Sequence, residues 1–345
     1  MTEHQPKDDS SGRPLTVLQS LDPPDGTTKY VVQVATGMPA NIELKYFSWR
    51  NALFGKYDVF HVHWPEFLLR ADSKLKTTLK TVALMVFLAR LEVTRKAVVR
   101  TIHNEEPHES GGRLEKYLTD RLERMTSLFI RLNPVTPYPA GAPCVTIPHG
   151  HYVDWFADKP SLESVEGRIL SCGLIRPYKG IEELLALYGA NAPTETSLRI
   201  VGKPRDSDLK DIIETACRES GKVSARLEFV PDDDLVREIY ESELVVLPYR
   251  KMHNSGIVFL ALSLQRPVLV PKNEVNNILA SEVGTGWINT FSGDISLDQI
   301  HDALAVAKEA VRGSLPNLEG RDWASVGKAH ASGYETAYAL RRART

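Results

Sequence analysis

The chain has 345 residues, 42 Lys and Arg against 44 Asp and Glu, and 42% hydrophobic residues. At roughly 100–200 residues per domain this is length for about two domains with separate cores, and two domains offer a ligand cleft between them. A formal net charge of −2 lacks the basic excess of a dedicated nucleic-acid binder, and three widely spaced cysteines, Cys144, Cys172 and Cys217, make neither a zinc motif nor a disulfide framework.

The N-terminus, Met1 to Arg13, is polar, with Ser10, Ser11 and Gly12, and reads as a disordered leader without the apolar core of a signal peptide. From Leu15 short β-branched runs alternate with helical patterns. Strands are expected at Leu15 to Leu18, Glu43 to Phe47, Val59 to His63, Val98 to His103 and Cys144 to Pro148, a parallel sheet covered by helices. A turn-rich break at Trp155 to Glu166 follows, and the alternation restarts. Strands are expected at Ile169 to Gly173, Leu198 to Val201, Leu227 to Val230, Leu244 to Pro248 and Pro267 to Val270. Helices fall between them at Ile181 to Tyr188, Asp206 to Glu219, Asp232 to Ser242 and Ser255 to Leu264, and a last one spans Trp323 to Arg342. Two βα domains in series result. No uncharged apolar run reaches 18 residues, so a cytoplasmic protein without a membrane span is expected.

No GxGxxG occurs, and Gly55, Gly221 and Gly327, each followed by Lys, are not continued by Ser or Thr, which removes the dinucleotide fingerprint and the Walker A loop. Asp232 to Asp234 have a spacing that suits a divalent metal. They also open a helix, where aspartates cap and complement the dipole, and the capping role is the one expected. In Gly173-Leu-Ile-Arg-Pro-Tyr-Lys-Gly180, between a strand and a helix, Arg176 and Lys179 are placed to neutralise a diphosphate. Pro248-Tyr-Arg-Lys-Met-His-Asn-Ser-Gly256 leads into an apolar helix whose first amides, at Ser255, Gly256 and Ile257, form an anion site. Seven of the ten histidines, His61, His63, His103, His108, His149, His151 and His253, lie in or beside strand-end loops with Glu66, Glu106 and Glu109, a pattern for sugar hydroxyls and proton transfer.

These motifs, in this order, resemble the GT-B-fold glycosyltransferases of the group-1 (family-4-like) type. The likeness is carried by YDVFHVHWPE, RTIHNEEPHE, GLIRPYKG, RIVGKP, FVPDDDLVREIYESELVVLPYR and NSGIVFLALSLQRPVLVP, and by a last helix containing Trp323. It implies an α/β architecture of two Rossmann-like domains facing a cleft: a leader at 1–13, an acceptor domain at 14–155, a donor domain at 156–322 and a helix at 323–345 crossing back to the first. It also implies a nucleotide-sugar co-substrate with no cofactor and no metal. The implied donor-binding residues are Arg176, Lys179, Gly202, Lys203, Val230, Pro231, Asn254, Ser255, Gly256 and Ile257, and those on the acceptor side are Gly26, His63, Trp64, His149 and His151. His103 is expected to approach the transferred sugar. His103, Glu106 and Glu109 are the candidates for a catalytic base. One departure stands out. Retaining members carry two glutamates eight positions apart in a segment of the form EGFGLVLLEAM, and alignment on Gly256 places His253 and Ala261 there.

The expected activity is transfer of a hexose from a nucleoside diphosphate sugar to a saccharide or lipid-linked saccharide, in cell-envelope or exopolysaccharide synthesis. The alternative is a non-catalytic protein of the same fold that senses a nucleotide sugar or partners a second enzyme. Arg70 to Arg100 holds eight Lys or Arg against Asp72 and Glu92, with Leu75, Leu79, Val82, Val86 and Phe87 at helical spacing. Such a basic amphipathic helix suits an anionic membrane, on the inner face of the plasma membrane, and equally suits packing on the sheet.

Overall fold

The computed structural model describes residues 13–24, 29–103, 112–189, 192 and 195–343. The chain divides into two compact units, Met1–Pro148 with Asp322–Thr345, and His149–Arg321. The first unit ends seven residues before the boundary expected at 155, because Tyr152 and Phe156 are buried in the core of the second. The expected leader lies outside the described residues except for Arg13, which pairs with Asp58 at 2.7 Å.

Unit 1 is built from β1 (Leu15–Gln19), α1 (Lys29–Thr36), β2 (Ile42–Tyr46), α2 (Trp49–Phe54), β3 (Val59–Val62), α3 (Lys74–Val93), β4 (Ala97–Ile102), α4 (Arg113–Met125), β5 (Leu128–Arg131) and β6 (Cys144–Thr146). The sheet order is β2-β1-β3-β4-β5-β6, with every pairing parallel. Alternate residues of a strand face opposite ways. Leu18, Phe60, Val62 and Val98 therefore meet α3 and α4, whereas Val17, Val59 and Val99 face the other layer. That layer is completed by the C-terminal helix, Trp323–Ala343, which buries Trp323, Val326, Ala331, Tyr334 and Ala337 there.

Unit 2 is built from β7 (Arg168–Cys172), α5 (Ile181–Ala186), β8 (Ser197–Val201), α6 (Ser207–Glu219), β9 (Val223–Arg226), α7 (Asp232–Tyr240), β10 (Leu244–Val246), α8 (Gly256–Ser263), β11 (Val268–Pro271), α9 (Glu274–Val283), β12 (Ile288–Phe291) and α10 (Leu297–Gly313), which leaves Trp323–Ala343 as α11. The all-parallel order β12-β11-β10-β7-β8-β9 is the Rossmann order. The strand expected at Leu227 to Val230 is instead β9, four residues earlier; Leu227 to Val230 lead into α7, and Phe229 is exposed. The segment Val-Ser-Ala-Arg of β9 is an edge strand with little apolar content, so patterning points to the more apolar run beyond it.

In each sheet the strand order reverses once, between β1 and β3 in unit 1 and between β7 and β10 in unit 2. Ligands of open α/β sheets bind beyond the carboxyl ends of the strands at such a reversal.

Candidate active site

In unit 2 the two motifs singled out in the sequence flank that reversal and are knitted together. Gly180 has φ +68° and a Cβ there would stand 2.0 Å from the Pro248 carbonyl oxygen, so only glycine lets the turn after β7 close on the segment after β10. The Arg250 amide donates to the Tyr178 carbonyl at 3.0 Å, and the Arg250 guanidinium pairs with Glu183. A Cβ on Gly173 would lie 3.3 Å from Ile257 Cδ1 and 3.6 Å from Lys179 Nζ, so the glycine turn, the lysine and the first turn of α8 converge.

Lys179 Nζ lies 4.9 Å from the centroid of the Tyr249 ring. Burial lowers its pKa to about 8, the neighbouring Arg176 pushes in the same direction, and Cys172 opposes. A desolvated ammonium is costly alone and gains strongly from an anion. Ser255 caps α8 with extended backbone and no side-chain bond to the first turn. The amides of Gly256 and Ile257 precede the first helical acceptor and carry the positive end of the dipole. This end of unit 2 is a cationic, amide-rich surface suited to a diphosphate.

Lys203 is exposed beside it, on a loop whose carbonyl accepts from the Ile175 amide at 3.1 Å. Gly202 is required there, with φ +148° and a Cβ position 1.8 Å from the Gly173 carbonyl oxygen. Asn254 is half-buried, and Pro231 is exposed as the N-cap of α7. Val230, expected to bind donor, is a core residue packed with Val236 and Tyr240, so its side chain serves the fold. Asp232 to Asp234 occupy the first turn of α7 without making a side-chain cap. Asp232 accepts from Trp155 Nε1 at 3.0 Å, Asp233 pairs with Lys159 at 2.9 Å and Asp234 with Arg226 at 2.8 Å.

His149 and His151, expected on the acceptor side, belong to unit 2. His149 stacks on Phe259 of α8 at 5.1 Å between centroids, donates from Nδ1 to the Gly150 carbonyl at 2.7 Å, and has its pKa lowered by burial to about 4. A Cβ on Gly256 would be 3.6 Å from its Nε2. Arg321, unnoticed in the sequence, covers the other part of this stack. Its guanidinium lies 4.7 Å from the Phe259 centroid, pairs with Glu282 and donates to the His149 carbonyl at 3.0 Å. The His151 amide donates to the Arg321 carbonyl at 2.9 Å, tying together the two points where the chain leaves unit 2.

In unit 1 the carboxyl ends of β1, β3 and β4 gather imidazoles instead of cations. His63 Nδ1 lies 3.0 Å from His103 Nε2. Trp64 stacks on His103 at 4.2 Å, and the Tyr30 ring stands edge-on to His63 and His103. Burial and the surrounding imidazoles hold His61 and His63 well below the usual histidine range, so both are neutral at physiological pH. Glu106, Glu109 and Gly26 lie outside the described residues. Ala261, at the place of the second glutamate of retaining members, is fully buried in the α8 core, and His253 is half-buried.

No family model matches the chain. Two proteins of Xanthomonas campestris pv. campestris, both a GDP-mannose:glycolipid 4-beta-D-mannosyltransferase, are 42% identical to it over 322 residues, covering 93% of this chain and 92% of theirs. Among solved structures, Anabaena HepE in complex with UDP superposes with a TM-score of 0.57 at 13% identity, covering 96% of this chain and 98% of that one. Sucrose-phosphate synthase from Thermosynechococcus elongatus gives 0.57 at 12%, over 96% and 97%. These structural likenesses establish the fold, two Rossmann-like domains of the GT-B kind. The identity to the Xanthomonas enzymes spans nearly all of both chains, and the protein belongs to the group-1 type of GT-B glycosyltransferases, enzymes that transfer a sugar from a nucleotide-sugar donor.

Proposed function

We propose that the protein transfers mannose from GDP-mannose to a lipid-linked saccharide, forming a β linkage, at the inner face of the plasma membrane. The 42% identity to mannosyltransferases of that description carries this reading, and because those relatives are enzymes it is favoured over a non-catalytic sensor. GDP-mannose holds its mannose in the α configuration, so a β product requires inversion. The acceptor hydroxyl oxygen bonds to C1 as the C1–O bond to the diphosphate breaks, GDP departs, and a base takes the hydroxyl proton. His103, Glu106 and Glu109 are the candidates for that base. Replacement of the two glutamates of retaining members by His253 and Ala261 is consistent with a different stereochemical course.

Arg176, Lys179 and the first turn of α8 supply positive charge for the departing diphosphate, the role a metal plays elsewhere, and we assign no resident metal. Incubation with a panel of nucleotide sugars and lipid-linked saccharides tests the assignment. Transfer from GDP-mannose with an inverted anomeric configuration is the expected result. Preference for another donor, or a retained configuration, overturns it.

Membrane association is supported by α3, although not by the basic face expected from the sequence. Of the cations expected on that face, Lys80 donates to the Arg70 carbonyl at 2.6 Å and Arg90 to the Gly55 carbonyl at 2.7 Å, and Arg70, ahead of the helix, pairs with Glu115 at 2.7 Å. Phe87 belongs to the core, with Leu84, Leu88 and Leu91. The outer face is apolar: Leu75 is 71% exposed, Leu79 62%, and Val82 and Val86 54% each, beside exposed Lys74 and Lys76. No helix among the described residues is long and apolar enough to cross a membrane. An apolar row flanked by two lysines suits shallow insertion into an anionic interface. Cosedimentation with phosphatidylglycerol vesicles should be lost in Leu75→Glu/Leu79→Glu and weakened in Lys74→Glu/Lys76→Glu. Undiminished binding in both removes α3 as the contact.

A further inference from the structure

Strand alternation places Gln19, His61, His63, Thr101 and His103 on the face of the unit 1 sheet that α11 covers, toward the carboxyl ends of β1, β3 and β4. Their side chains form one continuous series, buried except at half-buried His103. His103 Nε2 is 3.0 Å from His63 Nδ1, and His63 Nε2 is 3.0 Å from Gln19 Oε1. Gln19 Nε2 donates to the Tyr334 hydroxyl at 2.8 Å. That hydroxyl is 2.9 Å from His61 Nδ1, and His61 Nε2 is 2.8 Å from Thr101 Oγ1.

We propose that Gln19, His63 and Tyr334 are positioning residues that hold His103 with its proton on Nε2 and leave Nδ1 as its basic nitrogen. The carboxamide of Gln19 sets the direction, because it accepts at one end and donates at the other. Its oxygen faces His63 Nε2, which must therefore carry a proton. His63 is neutral, so its Nδ1 accepts, and the proton shared with His103 belongs to His103 Nε2. On the other side the Tyr334 hydroxyl accepts from Gln19 and has one proton to give, to His61 Nδ1. His61 in turn donates from Nε2 to Thr101. Every bond then runs the same way, from His103 to Thr101, and each bond has one donor and one acceptor.

Among the described residues, the groups around this series leave its protons in place. His330 stands 6.0 Å from His61 between centroids and donates from Nδ1 to the Val326 carbonyl at 2.8 Å. Burial keeps His330 below the usual histidine range and raises the Tyr334 phenol, so both remain uncharged near neutral pH. The Tyr30 ring stands nearly perpendicular to His103, and Trp64 stacks on it. The functional consequence rests on the reading that His103 meets the transferred sugar. An imidazole with a fixed tautomer presents an acceptor there without spending time in the wrong state, and a wrong tautomer can cost an enzyme about 10⁴ in kcat.

Long-range proton–nitrogen correlation spectra of the full chain, labelled with nitrogen-15 in histidine and assigned by loss of signal in His103→Asn, read the tautomer directly. Protons on Nε2 of His103, His63 and His61 are expected; a proton on Nδ1 of His103 in the wild type overturns the proposal. In Gln19→Glu the donor to Tyr334 is gone and a carboxylate favours a doubly protonated His63, which must donate to His103. The His103 proton should then move to Nδ1, with kcat down about tenfold or more and donor affinity changed less than about twofold. If that buried carboxylate prevents folding, Tyr334→Phe serves instead. It frees the Gln19 amide to turn over, so mixed His103 tautomers and a smaller fall in kcat are expected. An unmixed wild-type tautomer in a folded Tyr334→Phe protein removes Tyr334 from the set. The spectra do not depend on turnover, so they separate failure of the relay from failure of the sugar contact.

Discussion

The two sheets solve the same topological problem with opposite chemistry. Each reverses its strand order once and gathers side chains at that point, but the unit 1 end holds a cluster of imidazoles with His63 bonded to His103, whereas the unit 2 end holds a desolvated lysine, an arginine and a helix N-terminus. The difference follows from neighbours. His61 and His63 are buried with other imidazoles and have no acid paired with them among the described residues, so burial drives off their protons. Lys179 keeps its charge at neutral pH although buried, and an incoming anion relieves its desolvation. Neutral donors and acceptors suit hydroxyls, and concentrated positive charge suits a leaving diphosphate.

The largest expected effect lies at His103. His103→Ala is predicted to cut kcat by about 10²-fold or more with donor affinity changed less than about twofold, the pattern of a group acting in the transition state. Single-turnover kinetics alongside calorimetric titration separates the two quantities, and a pure loss of donor affinity would make His103 a donor-binding residue. The next effect belongs to unit 2. Arg176→Ala and Lys179→Ala each remove a charge-assisted contact of about 1.5–3 kcal/mol, which calorimetry should record as weaker GDP binding. Unchanged affinity in both variants places the phosphates elsewhere.

A subtler effect comes from pH. Lys179 titrates near 8 in the folded protein and near 10.5 when unfolded. Below about pH 8 both states hold the proton; from there to about 10.5 only the unfolded chain does, so this group makes the folded state more stable as pH rises through that window. Diphosphate affinity should move the other way, falling up to about tenfold per pH unit above 8 as the ammonium is lost. Titrations of wild type and Lys179→Arg across pH 7–10 check this, and a parallel decline in the arginine variant assigns the effect to another group. The smallest expected effect is that of chelation. Turnover in EDTA should match that without it, since Asp232 to Asp234 are engaged by Trp155, Lys159 and Arg226. Loss in EDTA with recovery in magnesium would give that acidic run a metal role.

Much of this organisation is legible in the sequence for local reasons. Short apolar runs alternating with helical patterns mark two βα units, and glycine turns with Arg176, Lys179 and Ser255 beside them need only neighbouring residues to be recognised. The strands β5 and β12, four residues each, and the helices α9 and α10 escape notice, although Leu128-Phe-Ile130 of β5 and the spacing of Ile300, Leu304 and Ala307 in α10 carry an ordinary apolar pattern. In Arg70 to Arg100, charge counting alone suggests a basic face, yet four of the eight cations, Arg70, Lys80, Arg90 and Arg100, are engaged by backbone carbonyls or acids, and the exposed face of α3 is apolar.

Histidines two apart in Val59-Phe-His-Val-His63 already imply, by strand periodicity, two imidazoles on one face of a sheet. The sequence by itself thus determined which groups stand at the strand ends. Only the tertiary structure decided which of them bond, because Gln19 meets Tyr334 across 315 residues when α11 packs on the sheet. The same packing settles the protonation states, since burial and the partners it brings, not the residue type, decide whether an imidazole or an ammonium keeps its proton.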